Sequence, residues 1–289
     1  MKILLFGKNG QLGWEARRTL ASLGEVVALG SQDLDLTRLD ELAQIVRQVR
    51  PDVIFNAAAY TAVDKAESEP DLAMLINAKA PGVMAEEARK LNAVLIHYST
   101  DYVFDGKKGA PYIETDPTNP LNVYGQSKLA GEQVIGQVGG AYVILRTSWV
   151  YSLRGSGFVS KVLEWSRKQE TLRVVNDQVG SPTWARMLAE VATLLVGKGV
   201  GFLQEQTGLY HLAGDGSASR LEWAQTILEI DPNKQGQMVR ELLPALTADF
   251  PTPAERPLFS VLSCSKFVDA FDLRIPDWKT SLKMAMELQ

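Results

Sequence analysis

Lys2-Ile3-Leu4-Leu5-Phe6, followed at once by Gly7-Lys8-Asn9-Gly10-Gln11-Leu12-Gly13, is the stretch whose reading decides the fold. After Lys2 the run is apolar without alternation, the pattern of a strand covered on both faces. The glycines stand at G-x-x-G-x-x-G and open an amphipathic stretch from Gln11 to Leu23. Such spacing permits a tight strand-to-helix turn, lets backbone approach a pyrophosphate and lets the helix pack close to the strand. The amino end of the helix adds unpaired N–H groups and positive partial charge. Three glycines also suit an ordinary strand-to-helix turn. Their place at the head of a βαβ unit makes Gly7, Gly10 and Gly13 the frame of an expected dinucleotide site.

Working outward, Glu25 to Leu29, Asp52 to Asn56, Ala93 to Tyr98 and Ala141 to Arg146 read as further strands. Between them Leu39 to Val49, Asp71 to Lys90 and Tyr124 to Ile135 carry apolar residues at helical spacing. That alternation predicts an α/β, Rossmann-type doubly wound parallel sheet. After Thr147 the rhythm loosens. Helices are expected at Phe158 to Arg167, Thr183 to Leu195, Arg220 to Ile230 and Trp278 to Leu288, with short strands near Arg173 to Val175 and Leu209 to Leu212. Pro244, Pro251, Pro253 and Pro257 break up the stretch before the last helix. Residues 1–150 are therefore expected to form the dinucleotide-binding domain, with a return segment near 171–197. Residues 151–170 and 198–289 are expected to form a smaller, loop-rich substrate-binding part.

Composition narrows the partners. The net charge is −4, with no Lys/Arg run, so neither nucleic acid nor an anionic membrane is an expected partner. One cysteine, Cys264, excludes an internal disulfide and a multi-cysteine zinc site, and fits a reducing compartment. No stretch approaches the roughly 20 apolar residues that span a bilayer, and the apolar run after Lys2 is too short for a signal-peptide core. A cytoplasmic location is expected.

The chemistry is carried by three segments that end or follow strands. Tyr124-Gly125-Gln126-Ser127-Lys128 puts a phenol and an ammonium on one helix face, one turn apart. A phenol with a pKa near 10 is a sluggish acid-base group at neutral pH, and a neighbouring cation favours its ionised form. Alone, such a pair also suits a helix surface. His97-Tyr98-Ser99-Thr100-Asp101-Tyr102 sits at the carboxyl end of the fourth strand, the edge where open α/β sheets bind ligands, so Thr100 is placed to hold a substrate oxygen beside Tyr124. Asn56-Ala57-Ala58-Ala59-Tyr60-Thr61 ends the third strand with small side chains that let a cofactor lie against backbone, though three alanines also suit plain packing. At the end of the second strand, where NAD enzymes usually carry an acid for the ribose 2′-hydroxyl, stands Gly30-Ser31-Gln32, with Asp33 and Asp35 displaced. NADPH is the expected cofactor, with NADH tolerated.

Together these segments resemble the extended short-chain dehydrogenase/reductase family and, more narrowly, its dTDP-4-dehydrorhamnose reductase branch. Arg146-Thr147-Ser148-Trp149-Val150-Tyr151 and Pro251-Thr252-Pro253-Ala254-Glu255-Arg256-Pro257 extend the match through nearly the whole chain. The resemblance implies reduction of dTDP-4-dehydro-L-rhamnose to dTDP-L-rhamnose. It implies Tyr124 as proton donor, Lys128 as the residue that holds the cofactor ribose and tunes the tyrosine, and Thr100 as the third member. It implies cofactor contacts at Gly10, Gln11, Leu12, Asp35, Leu36, Ala59, Tyr60 and Thr61, beside Gly7, Gly13 and Ala57. Thr100, Asp101, Trp149 and Arg256 match positions facing the nucleotide-sugar. Some members form a homodimer bridged by magnesium through three glutamates. Here Glu15 and Glu287 match, but Arg186 occupies the third place, and a cation does not ligate a cation. The resemblance therefore stops short of implying the bridging magnesium, or that dimer, in this chain.

Rival activities are separable. A 4,6-dehydratase needs Asp-Glu just after the threonine, and Thr100 is followed by Asp101 and Tyr102. An epimerase would consume no net cofactor. A non-catalytic, cofactor-binding regulatory subunit would have no need of Thr100, Tyr124 and Lys128 together.

Overall fold

In the computed structural model, which describes residues 1–287, the expected strands form as β1 Lys2–Phe6, β2 Glu25–Leu29, β3 Val53–Asn56, β4 Val94–Thr100 and β5 Ala141–Thr147. They lie in the order β2-β1-β3-β4-β5, and Gly208–His211 adds a sixth strand beside β5. Every pairing is parallel. Alternate residues serve opposite faces. Ile3, Leu5 and Phe55 pack with helix α1 (Gln11–Thr19) and with Leu188 and Ala192 of the helix Ala185–Gly197. Leu4 and Ile54 pack with Leu42 and Val46 of α2 (Leu39–Val49), Met84 of Ala80–Leu91 and Ile135 of Val123–Val138. Each such side chain contributes roughly 1.5–3 kcal/mol of transfer free energy, which is why these strands lack polar alternation. The chain is thus a doubly wound, Rossmann-type α/β protein. Its strand order reverses between β1 and β3, so a crevice opens at their carboxyl ends.

The long helix expected from Asp71 to Lys90 is interrupted. Pro70–Met74 and Ala80–Leu91 are α-helical, and Leu75–Lys79 between them widens into a π-turn. Pro81 offers no N–H and its ring would press on the Asn77 carbonyl four residues back, a conflict the extra residue in the turn relieves. The widened turn brings Asn77 against Tyr60 and Ser127, donating to the Tyr60 carbonyl at 3.0 Å and to Ser127 Oγ at 2.9 Å. The helix that carries Tyr124 and Lys128 is thereby keyed to the loop after β3.

The second half departs further from expectation. Thr171–Val175, expected near a segment returning to the sheet, pairs instead with Glu241–Ala245, in parallel, outside it. That partner strand contains Pro244, read from sequence as an interruption; in a two-stranded ribbon the proline is exposed and its missing donor is tolerated. What does return is the helix Ala185–Gly197, together with the strand Gly208–His211 and, under it, the helix Ser265–Phe271. A separate cluster joins Val159, Val162, Leu172, Trp223, Ile227, Trp278 and Leu282. It forms the smaller layer, whose last helix runs Trp278–Met286; Leu288, expected to end it, lies outside the described residues. No helix among the described residues is long and apolar enough to cross a membrane.

Candidate active site

A cleft of about 660 Å³ opens along the carboxyl ends of β1 to β4. At one end it is bordered by Gly7, Gly10, Gln11 and Leu12, then by Asp35 and Leu36 after β2, and by Ala57, Ala59 and Thr61 after β3. Thr100, Asp101, Tyr124, Lys128 and Trp149 border the other end. Gly7 has φ +87°, and a Cβ there would stand 2.8 Å from the Ala57 carbonyl carbon, so only glycine fits between the two strand ends. Gly10 caps α1 with no side chain in the capping place and no acid in the first turn. Its free N–H groups and positive end suit a pyrophosphate. The residues present fit a nicotinamide dinucleotide.

Three expected residues do not border this cleft. Gly13 backs onto the Gly7 carbonyl and serves helix-to-strand packing. Tyr60 turns its hydroxyl to Glu69, donating at 2.7 Å. Arg256 is paired with Asp64 at 2.8 Å, a contact that holds the Asp64 carboxyl below its usual range. An arginine absent from the sequence expectations, Arg220, borders the cleft instead of Arg256. Its guanidinium lies 3.5 Å over the Trp149 ring and has no carboxylate partner among the described residues. Burial lowers its affinity for its proton, Tyr102 and Asp101 opposing. The available signal was Ser219-x-x-Glu222: Ser219 Oγ accepts from Glu222 N at 3.0 Å and Glu222 accepts from Ser219 N at 2.7 Å. This capping box fixes where the helix begins, and hence where its first residue, Arg220, stands.

Thr100 ends β4 with its hydroxyl donating to Asp101 Oδ1 at 3.1 Å and accepting from Tyr102 N at 3.2 Å. Asp101 is buried and also accepts from Ser148 at 2.9 Å and Ser260 at 2.5 Å. Burial raises its carboxyl and the three hydroxyls oppose that rise. Tyr124 borders the same end of the cleft as Thr100. Its phenol is pushed up by burial, with the Thr100 hydrogen bond acting the other way. From the protein's own groups the phenol is therefore held up rather than down; the downward pull expected from sequence requires positive charge brought into the cleft. Lys128 is 2% exposed, and its Nζ donates to the Tyr98 carbonyl at 2.6 Å and meets His97 Nε2 at 3.2 Å. Burial brings the amine down to about 8, Glu132 opposing.

At the end of β2, Asp33 accepts from Gly30 N at 2.7 Å and pairs with Lys8 at 2.6 Å. That carboxylate is already satisfied. Asp35 accepts from Thr37 N at 2.9 Å. On α1, Glu15 faces Arg186, which pairs with Glu190 at 2.8 Å; burial raises the Glu15 carboxyl and Arg186 lowers it. A guanidinium among these carboxylates does not fit a divalent cation.

The family model described as the RmlD substrate binding domain matches residues 1–289. The chain is 42% identical to a dTDP-4-dehydrorhamnose reductase of Burkholderia thailandensis over 294 residues, covering 99% of this chain and 98% of the relative. A crystal structure of a dTDP-4-dehydrorhamnose reductase from Clostridium acetobutylicum superposes with a TM-score of 0.91 at 36% identity, covering 100% of this chain and 99% of that one. A second, from Bacillus anthracis in complex with NADP, gives 0.89 at 33% identity with the same coverage of both chains.

Proposed function

Because this chain belongs to the dTDP-4-dehydrorhamnose reductase family, we propose that it reduces the 4-keto group of dTDP-4-dehydro-L-rhamnose to give dTDP-L-rhamnose. It is an NAD(P)H-dependent oxidoreductase. The observation that carries the reading is that Tyr124, Thr100 and buried Lys128, one helical turn from Tyr124, all border the cleft that begins at the glycine turn.

When bound, the reduced nicotinamide supplies a hydride to the keto carbon. Tyr124 supplies the proton to the keto oxygen, and Thr100 shares the hydrogen bond to that oxygen. That hydroxyl proton is held by Asp101 Oδ1 and turns from it to the keto oxygen as the substrate enters. Lys128 holds the cofactor ribose, and its charged form stabilises the phenolate that Tyr124 leaves behind. Gly7, Gly10, Gln11 and Leu12 take the pyrophosphate; Asp35, Leu36, Ala57, Ala59 and Thr61 flank the rest of the dinucleotide. Trp149 and Arg220, stacked on each other, take the nucleotide-sugar, Arg220 as a cation with no carboxylate partner for its diphosphate. Arg256 shares its charge with Asp64 and contributes less. NADPH is the preferred form, because Lys8 and Gly30 N occupy the Asp33 carboxylate that would otherwise repel a 2′-phosphate. The sheet carries the cofactor, the smaller layer carries the sugar, and the protein works in the cytoplasm.

The test is to incubate the purified chain with dTDP-4-dehydro-L-rhamnose and NADPH or NADH while following the reduced cofactor by absorbance. Stoichiometric oxidation with formation of dTDP-L-rhamnose is expected. Sugar turnover with no net cofactor consumption, or none at all, would overturn the reading. Tyr124→Phe should lose about 10²–10⁴ in turnover while still binding cofactor.

A further inference from the structure

His97 lies at the centre of β4 with no exposed surface, between Asn56 at the end of β3 and Lys128 on the helix Val123–Val138. Asn56 Nδ2 meets His97 Nδ1 at 3.0 Å, and Lys128 Nζ meets His97 Nε2 at 3.2 Å. The orientation of the Asn56 amide is decided by its other end, where Oδ1 accepts from the Ala58 backbone N–H at 3.1 Å. Turning the amide over would set two donors against each other at Ala58. Nδ2 therefore donates to the imidazole, Nδ1 accepts, and the ring proton sits on Nε2, pointing at the lysine.

We infer that His97 is a positioning residue for Lys128: held by Asn56 as the Nε2–H tautomer, it offers the lysine nitrogen a donor and so favours the uncharged amine. An uncharged amine uses one N–H for the Tyr98 carbonyl, accepts from His97 with its lone pair and keeps its remaining N–H for a ligand. An ammonium has no lone pair and faces a second donor. Charging Lys128 thus requires the imidazole proton to move to Nδ1 and the Asn56 amide to release Ala58, in the segment bordering the cleft. The other groups facing Lys128 leave this balance in place. On its own helix Tyr124 stands one turn before it and Glu132 one turn after, the latter accepting from Arg146 of β5 at 2.9 and 2.6 Å. On the β4 side Asp101 is held by three hydroxyls. Burial keeps the imidazole well below its usual range, Lys128 adding to the effect, so the ring carries a single proton at neutral pH.

The tautomer is independent of the reductase reading, whereas its effect on turnover rests on it, so the two fail separately. The chain has two histidines, His97 and His211. Long-range ¹⁵N–¹H correlation on the full chain labelled at histidine, assigned with His211→Gln, should show His97 protonated on Nε2 and bare on Nδ1. In Asn56→Asp, whose carboxylate can only accept, the proton should move to Nδ1. An Nδ1–H ring or an imidazolium in the parent chain, or no change in Asn56→Asp, overturns the inference. For turnover, His97→Gln can turn its amide oxygen to the ammonium, so the alkaline limb of kcat/KM should move up by about one pH unit. An unmoved limb in that variant, with the NADPH assay working in the parent, overturns the coupling to Lys128.

Discussion

Lys128 and Arg146 are two buried cations that meet the same helix, Val123–Val138, one turn apart, and what faces them differs. Arg146 donates through Nε and Nη2 to both oxygens of Glu132, so its charge is matched by a carboxylate. Lys128 has a carbonyl and an imidazole, and no carboxylate takes its proton. The paired cation ties β5 to the helix. The unmatched one is left with an amine near 8, poised to change charge in the working range. Two cations in one wall thus divide into one that holds the wall together and one kept reactive by the absence of a counter-ion.

The strongest test of this contrast is Lys128→Met. Turnover should fall about 10²–10⁴-fold and cofactor affinity should weaken, while stability falls by less than in Glu132→Ala, because Met leaves no buried charge stranded. A large loss of stability with modest loss of turnover would break the contrast. Glu132→Ala should do the reverse, costing about 3–5 kcal/mol in urea unfolding by stranding Arg146, with the activity per folded molecule much less affected. A parallel pair sits at the cleft mouth. Arg220→Ala should raise KM for the nucleotide-sugar roughly tenfold or more, and Arg256→Ala by less, since Asp64 already shares its charge; equal effects would show that pairing does not matter there. The smallest effect is expected at His211, which lies near Arg146. Its Nδ1 meets the Tyr112 carbonyl at 3.1 Å, and burial lowers the ring to about 3. The unfolded chain then binds this proton first. Stability should be complete above about pH 6.5 and decline as pH falls toward about 3, and His211→Gln should flatten that decline in urea midpoints taken at about pH 7 and about pH 5.

Much of this was legible in the sequence where the signal is local. The run Lys2 to Phe6 and its glycines placed β1, the turn and α1 because strand, turn and helix follow one another directly. Tyr124 and Lys128 were legible because i and i+4 share a face on any helix. What was not legible depends on partners distant in the chain. Arg256 matched the family's pattern, but Asp64, 192 residues away, binds its guanidinium. The strand through Pro244 formed because Thr171–Val175 offered an edge that needs no donor there. The role of His97 follows from which way an amide at Asn56 is turned, and spacing carries no trace of that.

Trp149 adopts a left-handed backbone at φ +44°, and its indole lies so close to Gly180 that a Cβ there would fall 2.4 Å from the ring. With Arg220 over the ring and Gly180 against it, the indole has little room to turn. The width of the mouth is therefore set by backbone, not by a choice of rotamer. A wall that cannot swing aside sorts its guests by thickness, and even one methyl group at position 180 would narrow the gauge.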